Sequence, residues 1–186
     1  MKALEPFHNR ILAAFALIFL SYAPVFAQTA ALDALFDQLA TADAQQARRI
    51  EADIWREWSK SGSPAFDLLL DRGRKAMEQG DVDAAIEHLT ALTDHAPDFA
   101  EGWNALATAY YQAGKFGPSI EDIQHTLALN PRHFGALVGL GTILEDLGRN
   151  DQALAVYRAA LAIHPRLQAV LDAVQRLEAD AAGQEI

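Results

Sequence analysis

The chain has 186 residues, of which 51% are hydrophobic and 22% charged, so it can bury the core of one ordinary domain rather than stay disordered. Its formal net charge of −10 repels phosphate backbones and anionic lipid, which excludes nucleic acid as an expected partner and favours neutral or basic protein surfaces. There is no cysteine, hence no disulfide, no thiolate zinc site, no cysteine nucleophile and no lipid anchor on an N-terminal cysteine.

The N-terminus reads as a separate object. Lys2 and Arg10 precede the uncharged run ILAAFALIFL, which is followed by Pro24 and by Val25 and Ala27. A basic start, a short apolar run and a small-residue end are the order of a secretory signal peptide. Residues 1–27 are therefore expected to be a signal peptide cleaved after Ala27, giving a periplasmic or secreted protein. Their removal takes away Lys2, Arg10 and Glu5 and leaves the chain one charge more acidic. The run falls short of the roughly 20 apolar residues that cross a bilayer, so no span is expected after removal. Retention as an N-terminal anchor, with Tyr22 to Phe26 extending the run, is the alternative.

Residues 28–64 come next. Leu32, Leu35, Phe36 and Leu39 recur at helical spacing, TAD interrupts the pattern, and Ala47, Ile50, Ile54, Trp55 and Trp58 form a second apolar stripe before the turn SGSP. The stretch is expected to be an N-terminal helical cap or a degenerate repeat. Trp55 and Trp58 are expected to pack against the helix spanning Phe66–Met77, or else to form a partly exposed aromatic patch for a partner.

From there the chain repeats itself. Pro97, Pro131 and Pro165 are 34 residues apart, as are Gly80, Gly114 and Gly148, and as are the small residues Gly73, Ala107 and Gly141. Independent markers with one period signal stacked supersecondary units. Within one unit, Trp103, Leu106, Ala107 and Tyr110 make a helical stripe. Gly114 supplies the left-handed backbone of a helix stop, Pro118 sits just inside a second helix carrying Ile120, Ile123 and Leu127, and Asn130 before Pro131 ends it. Small residues at Ala107 and Ser119 let the two helices approach closely. A single pair cannot bury its apolar faces, so the pairs must stack.

The spacing Trp103, Leu106, Ala107, Tyr110, Gly114, Phe116, Ser119, Ile123 and Pro131 resembles the tetratricopeptide repeat, and Phe66–Pro97 and Phe134–Pro165 resemble it too. The first unit departs from the pattern at Arg72 and Ala76. The resemblance implies an all-α, right-handed solenoid of antiparallel helix pairs, with units at 66–99, 100–133 and 134–167. Residues 168–186 would then form a C-terminal capping helix with a frayed tail, and Leu167, just before it, joins Val170, Leu171, Val174 and Leu177 in one apolar stripe.

No catalytic constellation is legible. His88, His95, His125, His133 and His164 fall at different places in the repeat and are expected to sit on solvated helix surfaces or ends. His88 and His95 lack the metalloprotease spacing, and the glycines of LVGLGTILEDLG lie inside a helix pattern rather than at a strand-to-helix turn. No metal, cofactor or enzyme activity is expected; a hydrolase or metal site hidden among the His and Asp residues is the distant alternative. The resemblance further implies a concave groove lined by the first helix of each unit, here Leu70, Arg74, Met77, Asn104, Thr108, Tyr111, Val138, Thr142 and Glu145. A lysine–asparagine–arginine clamp for acidic tails is missing, since only Asn104 and Arg74 fit it. The expected function is therefore a non-catalytic interaction module of the cell envelope. Its partner would be a protein or peptide, neutral to basic with apolar anchors, and Tyr111 its main anchor point; self-association through Trp55 and Trp58 is the structural alternative.

Overall fold

The computed structural model describes residues 30–184, so the expected signal peptide and its cleavage site lie outside the described residues. All regular structure among these is helical. Helix α1 covers 30–41, followed by α2 (Ala44–Trp58), α3 (Pro64–Glu78), α4 (Val82–His95), α5 (Ala100–Gln112), α6 (Phe116–Leu129), α7 (Phe134–Asp146), α8 (Asn150–Ile163) and α9 (Gln168–Gln184). No helix among the described residues is long and apolar enough to cross a membrane.

The pairs α3–α4, α5–α6 and α7–α8 pack as antiparallel hairpins and stack in chain order. Each hairpin turns on a glycine with a left-handed backbone, at Gly80 (φ 77°), Gly114 (φ 70°) and Gly148 (φ 70°). At each, the amide of the following residue reaches back five positions, as Lys115 N–H does to Tyr110 C=O at 2.9 Å and Arg149 N–H to Leu144 C=O at 2.8 Å. This closure satisfies carbonyls that a helix end would otherwise leave bare. The small position works as a socket. A Cβ on Gly73 would run into the Leu89 side chain, and one on Gly141 into the Tyr157 ring. In the middle unit Ala107 fills the same position, and Ser119 Oγ donates to its carbonyl at 2.7 Å. Consecutive first helices also pack on one another, α3 on α5 and α5 on α7, which makes theirs the inner, concave side of the stack.

Helix α9 closes one end. Val170 and Leu177 are buried with Leu144, Ala153 and Tyr157, and the ion pairs Arg158–Glu178 and Arg176–Glu145 flank them. The helix runs on to Gln184, further than the frayed tail expected from AAGQEI, and Leu171 stays exposed.

Among the described residues one buried side-chain oxygen has no hydrogen-bond partner. Asp122 on α6 is 7% exposed, and its Oδ2 makes no hydrogen bond. Burial, reinforced by the neighbouring Glu121 charge, pushes its carboxyl up from an ordinary value of 3.8 to about 7. The folded chain therefore holds this proton more tightly than the unfolded chain. The contribution to stability is complete below about pH 4 and is lost as pH rises to about 7, at about 1.4 kcal/mol per unit of pKa difference. Asp122→Asn is expected to raise the melting temperature at pH 8, with a gain that shrinks on acidification and vanishes near pH 4. Thermal melts across that range read the trend directly.

Candidate functional site

The concave side is not an empty groove. Helix α2 lies along it, across the first helices of the repeats. Asp43 starts α2 with a reciprocal cap, its carboxylate accepting from Gln45 and Gln46 N–H at 2.9 Å while the Gln46 side chain accepts from Asp43 N–H. This places Ile54, Trp55 and Trp58 toward the stack, where Ile54 and Trp58 are buried in a cluster with Phe36, Leu39 and Phe134. Trp58 stacks on His133 with ring centres 4.1 Å apart, and Trp55 meets His133 and Phe134 edge-on. A Cβ on Gly135 would stand 2.5 Å from the Trp55 ring, so the indole sits where only glycine leaves room. The two tryptophans thus pack on the start of α7 and not on the Phe66–Met77 helix, because α2 folds across the groove instead of stacking in register before the first unit. Trp58, buried on His133, offers no patch for self-association.

Beneath Trp58 lies a charged network. Glu101 on α5 is 2% exposed; one of its oxygens takes the Arg74 guanidinium of α3 at 2.5 Å and the other faces His133 Nε2 at 2.9 Å. His133 Nδ1 accepts from Ala136 N–H at 3.1 Å and caps α7, so the ring proton is on Nε2 and is donated to Glu101. Arg74 also reaches Ser59 Oγ at the end of α2. One helix pair further along the stack, at the end of α8, His164 repeats the device. Its Nδ1 accepts from Arg166 N–H, and its Nε2 faces Glu51 of α2 at 3.3 Å. The His164 contact holds the Glu51 carboxyl below its usual range against the opposite pull of partial burial, and the Trp55 indole adds to the lowering. His133 and His164 are thus buried, whereas helix surface or solvated ends were expected. Among the described residues no group of three His, Cys, Asp or Glu side chains is arranged to hold a metal ion.

The sequence-derived groove residues separate into three sets. Leu70 is 2% exposed and joins the core cluster with Leu89, Leu92, Ala105 and Ala109, because the alanines on α5 leave space that a large apolar side chain fills; it does not line the groove. Met77 packs half-buried against the same cluster, Arg74 is consumed by Glu101, and Glu145 by Arg176. The rest, Val138 apart, come together around a cleft of about 120 Å³ beside α2. Asn104, Thr108, Tyr111 and Thr142 form its rim, and Ala107, Ile123, Ala136, Gly139 and Ile143 its floor and walls. Tyr111 donates to Asp146 at 2.9 Å and stacks on Phe116; the Asp146 carboxylate, with burial as a lesser cause, raises the phenol above its ordinary range. A second, wider recess adjoins the first through Asn104, Thr108 and Gly135. Val138, Leu167, Phe134, Trp55 and Glu51 complete it.

The magnitude of the α2 contact decides whether it is a plug or a wall. Burying Ile54 and Trp58, with Trp55 partly buried beside them, stabilises the docked helix by roughly 4–7 kcal/mol before the polar links are counted. A micromolar ligand supplies about 8 kcal/mol in all, so displacing α2 would consume most of it. Helix α2 is a wall.

The family model for the tetratricopeptide repeat matches residues 70–117 and 104–167. A TPR repeat-containing protein of Rhizobium etli is 37% identical over 153 residues, which span 82% of this chain and 75% of that protein. Among solved structures, the second TPR domain of human RPAP3 in complex with the HSP70 peptide SGPTIEEVD superposes with a TM-score of 0.54 at 21% identity, covering 58% of this chain and 90% of that one. The Yersinia enterocolitica type III secretion chaperone SycD, in complex with a peptide of the translocator YopD, does so with a TM-score of 0.60 at 11% identity, covering 64% and 96%. At these identities the likeness is one of fold.

Breaking the buried pair leaves a charge without compensation. Glu101→Gln is expected to cost about 2–3 kcal/mol, since Arg74 keeps part of its solvation, and to lower the melting temperature by roughly 5–10 °C. Removing the exposed Arg56–Asp53 pair with Arg56→Ala is expected to shift it by no more than about one degree. Parallel thermal melts compare the two.

Proposed function

Because this chain belongs to the tetratricopeptide-repeat family, we propose that it is a non-catalytic interaction module of the cell envelope that binds a peptide segment of a protein partner in the open half of its concave face. The observation that carries this reading is the apolar-floored cleft between Asn104, Thr108, Tyr111 and Thr142. It is open to solvent on the side that α2 leaves free, and its polar rim can hold a backbone while the floor takes a side chain. With α2 filling the neighbouring half, the space suits an extended segment rather than a second helix. Arg74 is neutralised by Glu101, and Asp146 stands at the rim, so an acidic tail finds no cation there. The envelope location rests on the order of residues 1–27, and sequencing of the mature N-terminus checks it, with Gln28 expected first.

The groove can be closed without disturbing the fold. A Cβ on Gly139 would meet only Ile123 Cδ1, at an ordinary 3.7 Å, so a larger residue there grows into the cleft. Gly139→Leu is expected to keep or raise the melting temperature, since leucine favours a helix by roughly 1 kcal/mol over glycine, and to abolish partner capture. Crosslinking pull-downs from envelope extract with the two proteins test it; a partner held equally by both places the binding surface elsewhere. The acidic peptide SGPTIEEVD is expected to show no binding in fluorescence titrations at concentrations up to about 1 mM, where a −4 kcal/mol interaction would register.

A further inference from the structure

We infer that Glu51 and Trp55 of α2 form a cation subsite beside the cleft, so that the partner is an extended segment carrying a lysine or arginine a few residues from an aliphatic side chain. The inference rests on the concave-groove reading and names the chemistry of its ligand. Its ground is the way the two recesses join. The first, with Ile123, Ala136, Gly139 and Ile143, is apolar and narrow, sized for one aliphatic side chain. The second shares Asn104, Thr108 and Gly135 with it and presents the Glu51 carboxylate and the Trp55 indole together. Glu51 is held by His164 Nε2, whose Nδ1 accepts from Arg166 N–H, and by the Trp55 side chain, yet its own side chain stays 31% exposed, so the carboxylate is fixed in place and reachable from the recess. A side-chain cation seated there meets a carboxylate and the edge or face of an aromatic ring at once, the combination that recognises ammonium and guanidinium groups. The chain's net charge of −10 draws basic segments toward the same surface. A helix is excluded as occupant because α2 takes its place, and a carboxylate-bearing segment is disfavoured by Glu51 and Asp146.

The test uses the full chain and synthetic ten-residue peptides with a Ser/Thr background. One set carries a leucine and a lysine at varied spacing, a second replaces the lysine by glutamate, and a third carries the leucine alone. Fluorescence anisotropy is expected to give affinities at least about tenfold higher for the lysine set than for the glutamate set, with the preference weakening as salt rises. Glu51→Gln, which keeps the size and the His164 contact, is expected to erase the preference while leaving the leucine-only peptides unchanged. Equal binding of lysine and glutamate sets to the wild-type chain, or a preference that survives Glu51→Gln, overturns the inference while the groove reading stands. Absence of binding by every peptide, leucine-only included, overturns both.

Discussion

A single carboxylate joins the whole stack. Glu101 belongs to α5, its cation Arg74 to α3 and its histidine donor His133 to the cap of α7, so one buried group links three successive helix pairs. Trp58 lies flat on that histidine, and Ser59 meets the arginine, which fixes α2 over the same point. Stacked repeats otherwise touch only their neighbours and can open from either end. Here the N-terminal helices close across three units through contacts between residues far apart in the chain, such as Asp33 with Arg132 and Ala42 with Arg166. The polar network also sets where α2 sits, because a buried carboxylate tolerates only an arrangement that satisfies both of its oxygens.

The repeat was legible in the sequence because its determinants are local. A left-handed glycine, a socket for one large side chain and a proline after the second helix each act within a few residues, so a fixed interval exposes them. Gly73, Ala107 and Gly141 show the rule at work: wherever the position is glycine, the facing residue on the second helix, Leu89 or Tyr157, has grown into the space. The destinations of Trp55, Trp58, His133 and His164 were not legible, since they depend on where a helix lands after a turn, and no local period encodes that. Leu70 was misplaced for a related reason. The repeat pattern assigns it to the groove, but the pattern holds for a groove-facing side chain that is polar or small, and a leucine beside Ala105 and Ala109 folds into the core instead.

One signal did point to the docking of α2. At the position held by Asp67 and Glu101 in the first two units, the third has Gly135, in the first turn of α7, where glycine is a poorer helix residue than either carboxylate. Such a cost survives where something approaches the backbone closely, and in the structure that is the Trp55 ring. The candidate site was half legible in the same sense. Asn104, Thr108, Tyr111 and Thr142 do meet around one cleft, while Arg74, Met77 and Glu145 are spent on the fold.

A groove half filled by its own chain differs from an open one in what it can select. An open concave face accepts helices and extended segments alike, and it orders several side chains when it does so, at about 0.5–1.5 kcal/mol each. With Trp55 already locked between His133, Phe134 and Gly135, one wall of the remaining cleft is ordered before any ligand arrives. In the proposed mode of binding, affinity then depends on a short stretch of the partner and on the charge that Glu51 presents, not on the length of groove covered. Stability and recognition are separated by the same geometry. The Arg74–Glu101–His133 network holds the wall from beneath, and Asn104, Thr108, Tyr111 and Gly139 stand free of it on the ligand side except for the weak Asn104–Glu101 contact, so groove residues can change without loosening the stack.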